Sequence, residues 1–154
     1  MTMKQHPFTE SYLTRSNKII TDCGASQFVT QRLLDLGMQH PDLHVYRALW
    51  DTGADRTGIS KKVVKDLGLD IVAYSENHTA GGVVSVTIHL VSLVLPNNIV
   101  TPPMLVSCCD IDSADILIGM DVITLGDFAV TNMDERTTFS FRIPSAETID
   151  FMKQ

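Results

Sequence analysis

The chain has 154 residues, 44% of them hydrophobic and 19% charged, which suits one domain with a real core and excludes a disordered chain. Its formal net charge is −6, and Lys61-Lys62 is the only adjacent pair of bases. With no basic stripe to meet phosphates, a nucleic-acid partner is not expected.

In chain order, residues 1–16 are polar and read as an irregular N-terminal arm. Residues 17–22 read as an outer strand, followed by a turn at Cys23-Gly24-Ala25-Ser26. Residues 28–38 place Phe28, Leu33, Leu34, Leu36 and Met38 at roughly helical spacing. That predicts a short surface helix ending near Gly37 and before Pro41, an insertion covering part of the core. Residues 45–50 form a compact strand-like run. Ser60 is a natural N-cap for a helix over 61–67, and Gly68 a natural stop.

Residues 71–74 read as a brief strand, and 75–82 as a polar segment rich in turn formers. Val84, Val86, Ile88 and Leu90 then alternate with polar partners, as in a half-buried strand. The phase shifts afterwards to Val91, Leu93 and Leu95, which predicts a bulge or bend near Leu90. Pro96-Asn97-Asn98 turns the chain into a strand over 99–106, where Pro102-Pro103 marks an edge. Residues 115–118 are a short apolar strand ending at Gly119, with a second short helix over 121–125 closed by Gly126. Strands over 128–132 and 137–143 flank a turn at 133–136, and Pro144 ends the hairpin. The sum is many short strands and two short helices, a mostly-β, barrel-like single domain over 17–144 with a tail over 145–154.

One tetrapeptide carries chemistry. Asp51-Thr52-Gly53-Ala54 directly follows the strand-like run that ends at Trp50. A carboxylate at the end of a buried strand is costly without partners. It can be a solvated turn residue, since Asp, Thr and Gly are common in turns. It can also face a second carboxylate, so that the two share a proton and activate water. The chain has a single Asp-Thr-Gly, so the second carboxylate would come from a second copy of the chain.

The Asp51-Thr52-Gly53-Ala54 unit, followed by the Ile116-Leu117-Ile118-Gly119 unit, resembles the retropepsin-like aspartic proteases, and more closely their bacterial soluble relatives. The resemblance spans roughly residues 45–143. It implies a closed, barrel-like, mostly-β lobe working as a homodimer, with Asp51 catalytic and no cofactor. The function implied is aspartic endopeptidase action on a peptide or protein substrate. A catalytically inactive dimeric peptide-binding module on the same fold is the alternative. Thr52 would brace the two active-site loops, and Gly53 would let the backbone approach substrate. Ala54 and Asp55 would contact substrate. Gly81 and Gly82 fall where the family has its mobile flap hairpin. Val84 and Ile118, with Ala54, would be pocket walls favouring apolar side chains. The family carries an Arg just after the glycine of the second unit. Here that residue is Met120, which leaves Arg56 or Arg47 as substitutes.

The remaining residues add exclusions. His6, His40, His44, His78 and His89 show no metal spacing, and no Cys-x-x-Cys exists, so no metal is expected. The start of the chain has no apolar run of the signal-peptide kind, and no stretch approaches membrane-spanning length. Cys23, Cys108 and Cys109 make no even disulfide framework, so a reduced, cytoplasmic setting is expected.

Overall fold

A computed structural model describes residues 4–153. The largest sheet takes its strands from the whole middle of the chain: β2 (Ile19–Gln27), β3 (His44–Trp50), β4 (Gly58–Ile59), β5 (Ala73–Thr79), β6 (Gly82–Leu95), β7 (Ile99–Val100), β8 (Met104–Cys108) and β9 (Ile116–Ile118). Their order is β2-β3-β9-β4-β8-β6-β5, with β7 beside β6 and a further antiparallel pairing of β2 with β6. A second sheet joins β1 (His6–Ser11), β11 (Thr138–Ile143) and β10 (Asp127–Thr131), in that order. Three short α-helices, α1 (Gln31–Asp35), α2 (Lys61–Leu67) and α3 (Met120–Ile123), and two single 3-10 turns, Pro96–Asn98 and Met133–Glu135, complete the described residues.

The two sheets meet through aromatic rings. Phe8, Phe128, Phe139 and Phe141 gather round Trp50, with Phe139 and Phe141 at 4.9 and 5.0 Å between centroids. Trp50 satisfies its one polar atom by donating from Nε1 to the buried Thr21 hydroxyl at 3.0 Å. The last residue of β3 is thus pinned on both sides, which fixes where the chain leaves the sheet toward Asp51.

Helix α2 forms as its sequence predicts. The Ser60 side chain accepts from the Val63 N–H, Gly68 takes the left-handed φ of 60°, and Val63 and Leu67 face the core one turn apart. Elsewhere the structure corrects the expectations. The N-terminal arm is not irregular, because residues 6–11 form β1 and insert Phe8 into the core; Met1 to Met3 lie outside the described residues. With one inward apolar side chain, this strand carries almost no alternation to read. The turn expected at Cys23-Gly24-Ala25-Ser26 is the middle of β2. Small residues are needed there because the Leu43 side chain lies directly over Gly24. Helix α1 is five residues long and buries none of them, so it does not cover the core.

Residues 75–79, read as a turn, continue β5 as far as Thr79, paired with Gly82. The phase shift in β6 is present, but it falls one step early. Ile88 and His89 are both buried, and Leu90 is only half-buried. His89 can be inside because Nδ1 donates to the Asp70 carbonyl at 2.8 Å and Nε2 lies 2.9 Å from the Thr87 hydroxyl.

The segment after β11 is tied back to the small sheet. The Ser145 hydroxyl, the Ala146 N–H and the Arg142 guanidinium donate to Asp127 at 2.5, 2.9 and 2.7 Å. These donors hold the Asp127 carboxyl well below the usual carboxylate range. A depressed native value stabilises the fold above the ordinary aspartate range, and that contribution is lost progressively as the pH falls from that range through the lowered native value.

Two outcomes follow. Phe139→Ala should cost about 3–5 kcal/mol of stability in urea unfolding, as expected for a fully buried ring. Asp127→Asn should unfold more easily than wild type at neutral pH, converge with it under acid, and exchange the amides of residues 145–149 faster.

Candidate active site

Strand β9 lies between β3, its parallel neighbour, and β4, its antiparallel neighbour. The chain leaves β3 at Trp50 and re-enters as β4 at Gly58, so the connecting loop 51–57 must cross the end of β9. This crossing brings the two sequence units together. The Asp51 N–H donates to the Ile118 carbonyl at 2.9 Å, and the Met120 N–H donates to the Ala54 carbonyl at 2.8 Å. Gly119 sits beneath the loop. A β-carbon there would stand 2.8 Å from the Ala54 carbonyl oxygen and from the Arg56 carbonyl carbon, so the crossing requires glycine.

Thr57 and Asp121 clasp the crossing from inside. The Thr57 N–H reaches both Asp121 carboxylate oxygens, at 2.9 and 3.0 Å. Its hydroxyl donates to Asp121 Oδ1 at 2.7 Å and accepts from the Gly119 N–H at 3.2 Å. Asp121 also accepts from the Val122 N–H at 3.0 Å, placing a carboxylate at the start of α3. Thr57 is fully buried. Hydrogen bonds to a charged group are worth about 1.5–3 kcal/mol each, and a buried partner left unpaired costs as much again. In the sequence, Thr57 is an ordinary polar residue, and Asp121 stands out only as the start of a helix. A Gly-x-Asp opening a helix is the signal that could have marked Asp121.

Asp51 is half-buried. Its Oδ1 accepts from the Gly53 N–H at 2.8 Å, and its carbonyl accepts from the Ala54 N–H at 3.3 Å. The carboxylate is therefore held in place by its own turn. It opens onto a concavity of about 510 Å³. Gly53, Ala54, Asp55 and Arg56 line it on the Asp51 side, Glu76 to Thr79 of β5 on another, and Ser107, Cys109 and Leu117 at its back.

Several of the expected site residues lie elsewhere. Ile118 is fully buried in the core and cannot be a pocket wall. Alternation along β9 turns Ile116 and Ile118 inward and leaves Leu117 facing the cleft. Gly81, Gly82 and Val84 belong to the exposed end of the β5–β6 hairpin and do not line this cavity. The hairpin turn itself needs Gly82, which takes φ +119°. The walls are more polar than the sequence suggested. Of the two candidate arginines, Arg56 lines the cleft, whereas Arg47 pairs with Asp22 at 3.4 Å across the β2–β3 ladder. Burial, with Cys108 and Asp110 nearby, pushes the Cys109 thiol up. The cleft cysteine is thus kept protonated and unsuited to nucleophilic attack.

Removing the clasp should loosen the loop without emptying the core. Asp121→Ala is expected to lose about 2–4 kcal/mol in chemical unfolding, with faster amide exchange over residues 51–58. Asp121→Glu should recover only part of that loss.

Comparisons with known proteins bear on the family and the fold. A family model described as "gag-polyprotein putative aspartyl protease" matches residues 42–124, a little over half of the chain. Among solved structures, a retropepsin-like aspartic protease from Rickettsia conorii superposes with a TM-score of 0.50 at 14% identity, covering 92% of this chain and 98% of that one. Among curated proteins none matches. The loop crossing, its buried clasp and the match over residues 42–124 lead to one conclusion: the chain belongs to the gag-polyprotein aspartyl protease family, on a retropepsin-like, mostly-β fold.

Proposed function

We propose that the protein is an aspartic endopeptidase that works as a homodimer, with Asp51 of each copy at one shared active site. The observation that carries this reading is the Asp51 carboxylate, fixed by its own turn and lining a concavity of about 510 Å³. One carboxylate alone cannot both activate water and donate a proton to the scissile carbonyl. A second Asp51 facing the first supplies the missing role. Two carboxylates that close hold one proton between them and titrate as a unit.

The ionised member takes a proton from a water held between the two, and the hydroxide attacks the peptide carbonyl carbon. The protonated member donates to the carbonyl oxygen as it gains charge. The tetrahedral diol then collapses, and the leaving nitrogen takes a proton from the pair. No covalent enzyme intermediate forms.

Thr52 is half of the brace between the two loops. Gly53, Ala54 and Asp55, already at the cleft, are the residues that meet the substrate backbone. The β5–β6 hairpin, turning through Ala80 and Gly81 into Gly82, is the flap. Its β5 side faces Asp51 across the cleft, and closure over a peptide brings Gly81, Gly82 and Val84 into contact. The pairing of β2 with both β3 and β6 supports a closed, barrel-like lobe. Three unbridged cysteines support a reducing, cytoplasmic setting.

The test is cleavage of a peptide library, read by mass spectrometry from mildly acidic to neutral pH, because a carboxylate pair that must share one proton loses it as the pH rises. Wild type should cut best toward the acidic end, and Asp51→Asn should lose cleavage while still binding peptide. A wild-type dimer that cuts nothing, or an Asp51→Asn variant that cuts equally well, would overturn the reading.

A further inference from the structure

The cavity beside Asp51 meets β5 along its free edge. Strand β5 ends the large sheet and pairs with β6 alone. Four consecutive residues of it, Glu76, Asn77, His78 and Thr79, line the cavity. Successive side chains of a strand point to opposite faces, so a wall made of consecutive residues is a strand seen edge-on. Such an edge offers unpaired backbone N–H and C=O groups, and an extended peptide takes them up by lying alongside as a further strand.

A peptide held in this way has its side chains placed by the strand beside it. Every second one stands on the face that carries Glu76 and His78, and the others on the face of Asn77 and Thr79. Directly opposite residues on neighbouring strands lie about 5 Å apart at their β-carbons. At that distance opposite charges attract and like charges repel, so the residue opposite Glu76 is chosen by charge.

The Glu76 carboxylate is free for this role. It is exposed, and its partner across the hairpin is Ser85. Among the described residues it joins no ion pair. Glu76 is also the one Asp, Glu, Lys or Arg of β5. The guanidinium of the cavity, Arg56, belongs to the Asp51 side, where Asp55 precedes it and offsets its charge. The rest of the β5 wall is Asn77, His78, counted as neutral at pH 7, and Thr79. An ionised acid on a polar wall without a cation fits a cation carried by the substrate.

We infer that Glu76 is a specificity-determining residue of the cleft, and that the peptides this protein takes carry lysine or arginine where they pass it. The inference rests on the dimeric protease reading. In that dimer each chain contributes one β5, so a basic residue is selected on each side of the scissile bond.

The test compares wild type, Glu76→Gln and Glu76→Lys on one peptide library at neutral pH, with kcat/KM read position by position. Wild type should favour Lys or Arg over Glu by about fivefold at one position on each side of the cut. Glu76→Gln should level that preference and Glu76→Lys should reverse it. Both changes should act mainly through KM, because the contact is the same before and during the reaction. Cleavage of Glu-bearing peptides by Glu76→Lys shows that the variant is redirected rather than damaged. A wild-type preference for apolar residues at those positions, or one profile shared by all three proteins, overturns the role of Glu76 and leaves the protease reading standing. If wild type cuts no peptide, the protease reading falls and the specificity falls with it.

Discussion

The buried clasp between Thr57 and Asp121 is the interaction on which the rest of the site depends. A loop that crosses the end of a strand between two of its neighbours leaves several backbone groups away from water. Here one carboxylate and one hydroxyl answer most of them, taking the Thr57, Gly119 and Val122 N–H groups. The clasp works only because Gly119 has no side chain beneath the loop. It joins the Asp51 unit to the Gly119 unit, some sixty residues away along the chain. With the crossing locked, Asp51 needs only its own turn to hold its carboxylate toward the cleft.

The surrounding fold keeps this crossing stiff. The aromatic cluster holds Trp50, one residue before Asp51, against the small three-stranded sheet. On the other side, α2 leaves the loop from a capped Ser60, whose hydroxyl also donates to Asp115 at 2.9 Å at the foot of β9. The site therefore sits on rigid elements, as a constellation that must keep its geometry to about half an ångström should. The β5–β6 hairpin is the opposite case. Its outer half is paired on one side only and its end is exposed, which in the proposed enzyme would leave it free to move over a substrate.

How much of this was legible in the sequence divides along physical lines. Asp51-Thr52-Gly53, the Gly119 unit, α2 with both its caps and the β10–β11 hairpin were readable because local rules decide them. β1 was not, because its one inward residue, Phe8, is meaningful only against strands about 130 residues later. The small residues of β2 read as a turn because nothing local says that Leu43 and β6 press on them. Ile118 was assigned to the cleft because the sequence gives alternation but not its sense. The clasp was half visible: Thr57 and Asp121 are ordinary residues until the crossing places one against the other.

In the proposed dimer each chain carries half of an active site. That division is tested most directly by diluting wild-type protein with an excess of Asp51→Asn chains under conditions of free subunit exchange. If two Asp51 carboxylates make one site, a tenfold excess should cut cleavage per wild-type chain to about a tenth, because most wild-type chains then have a mutant partner. If cleavage per wild-type chain does not change, each chain carries a complete site, and the shared Asp51 pair is contradicted.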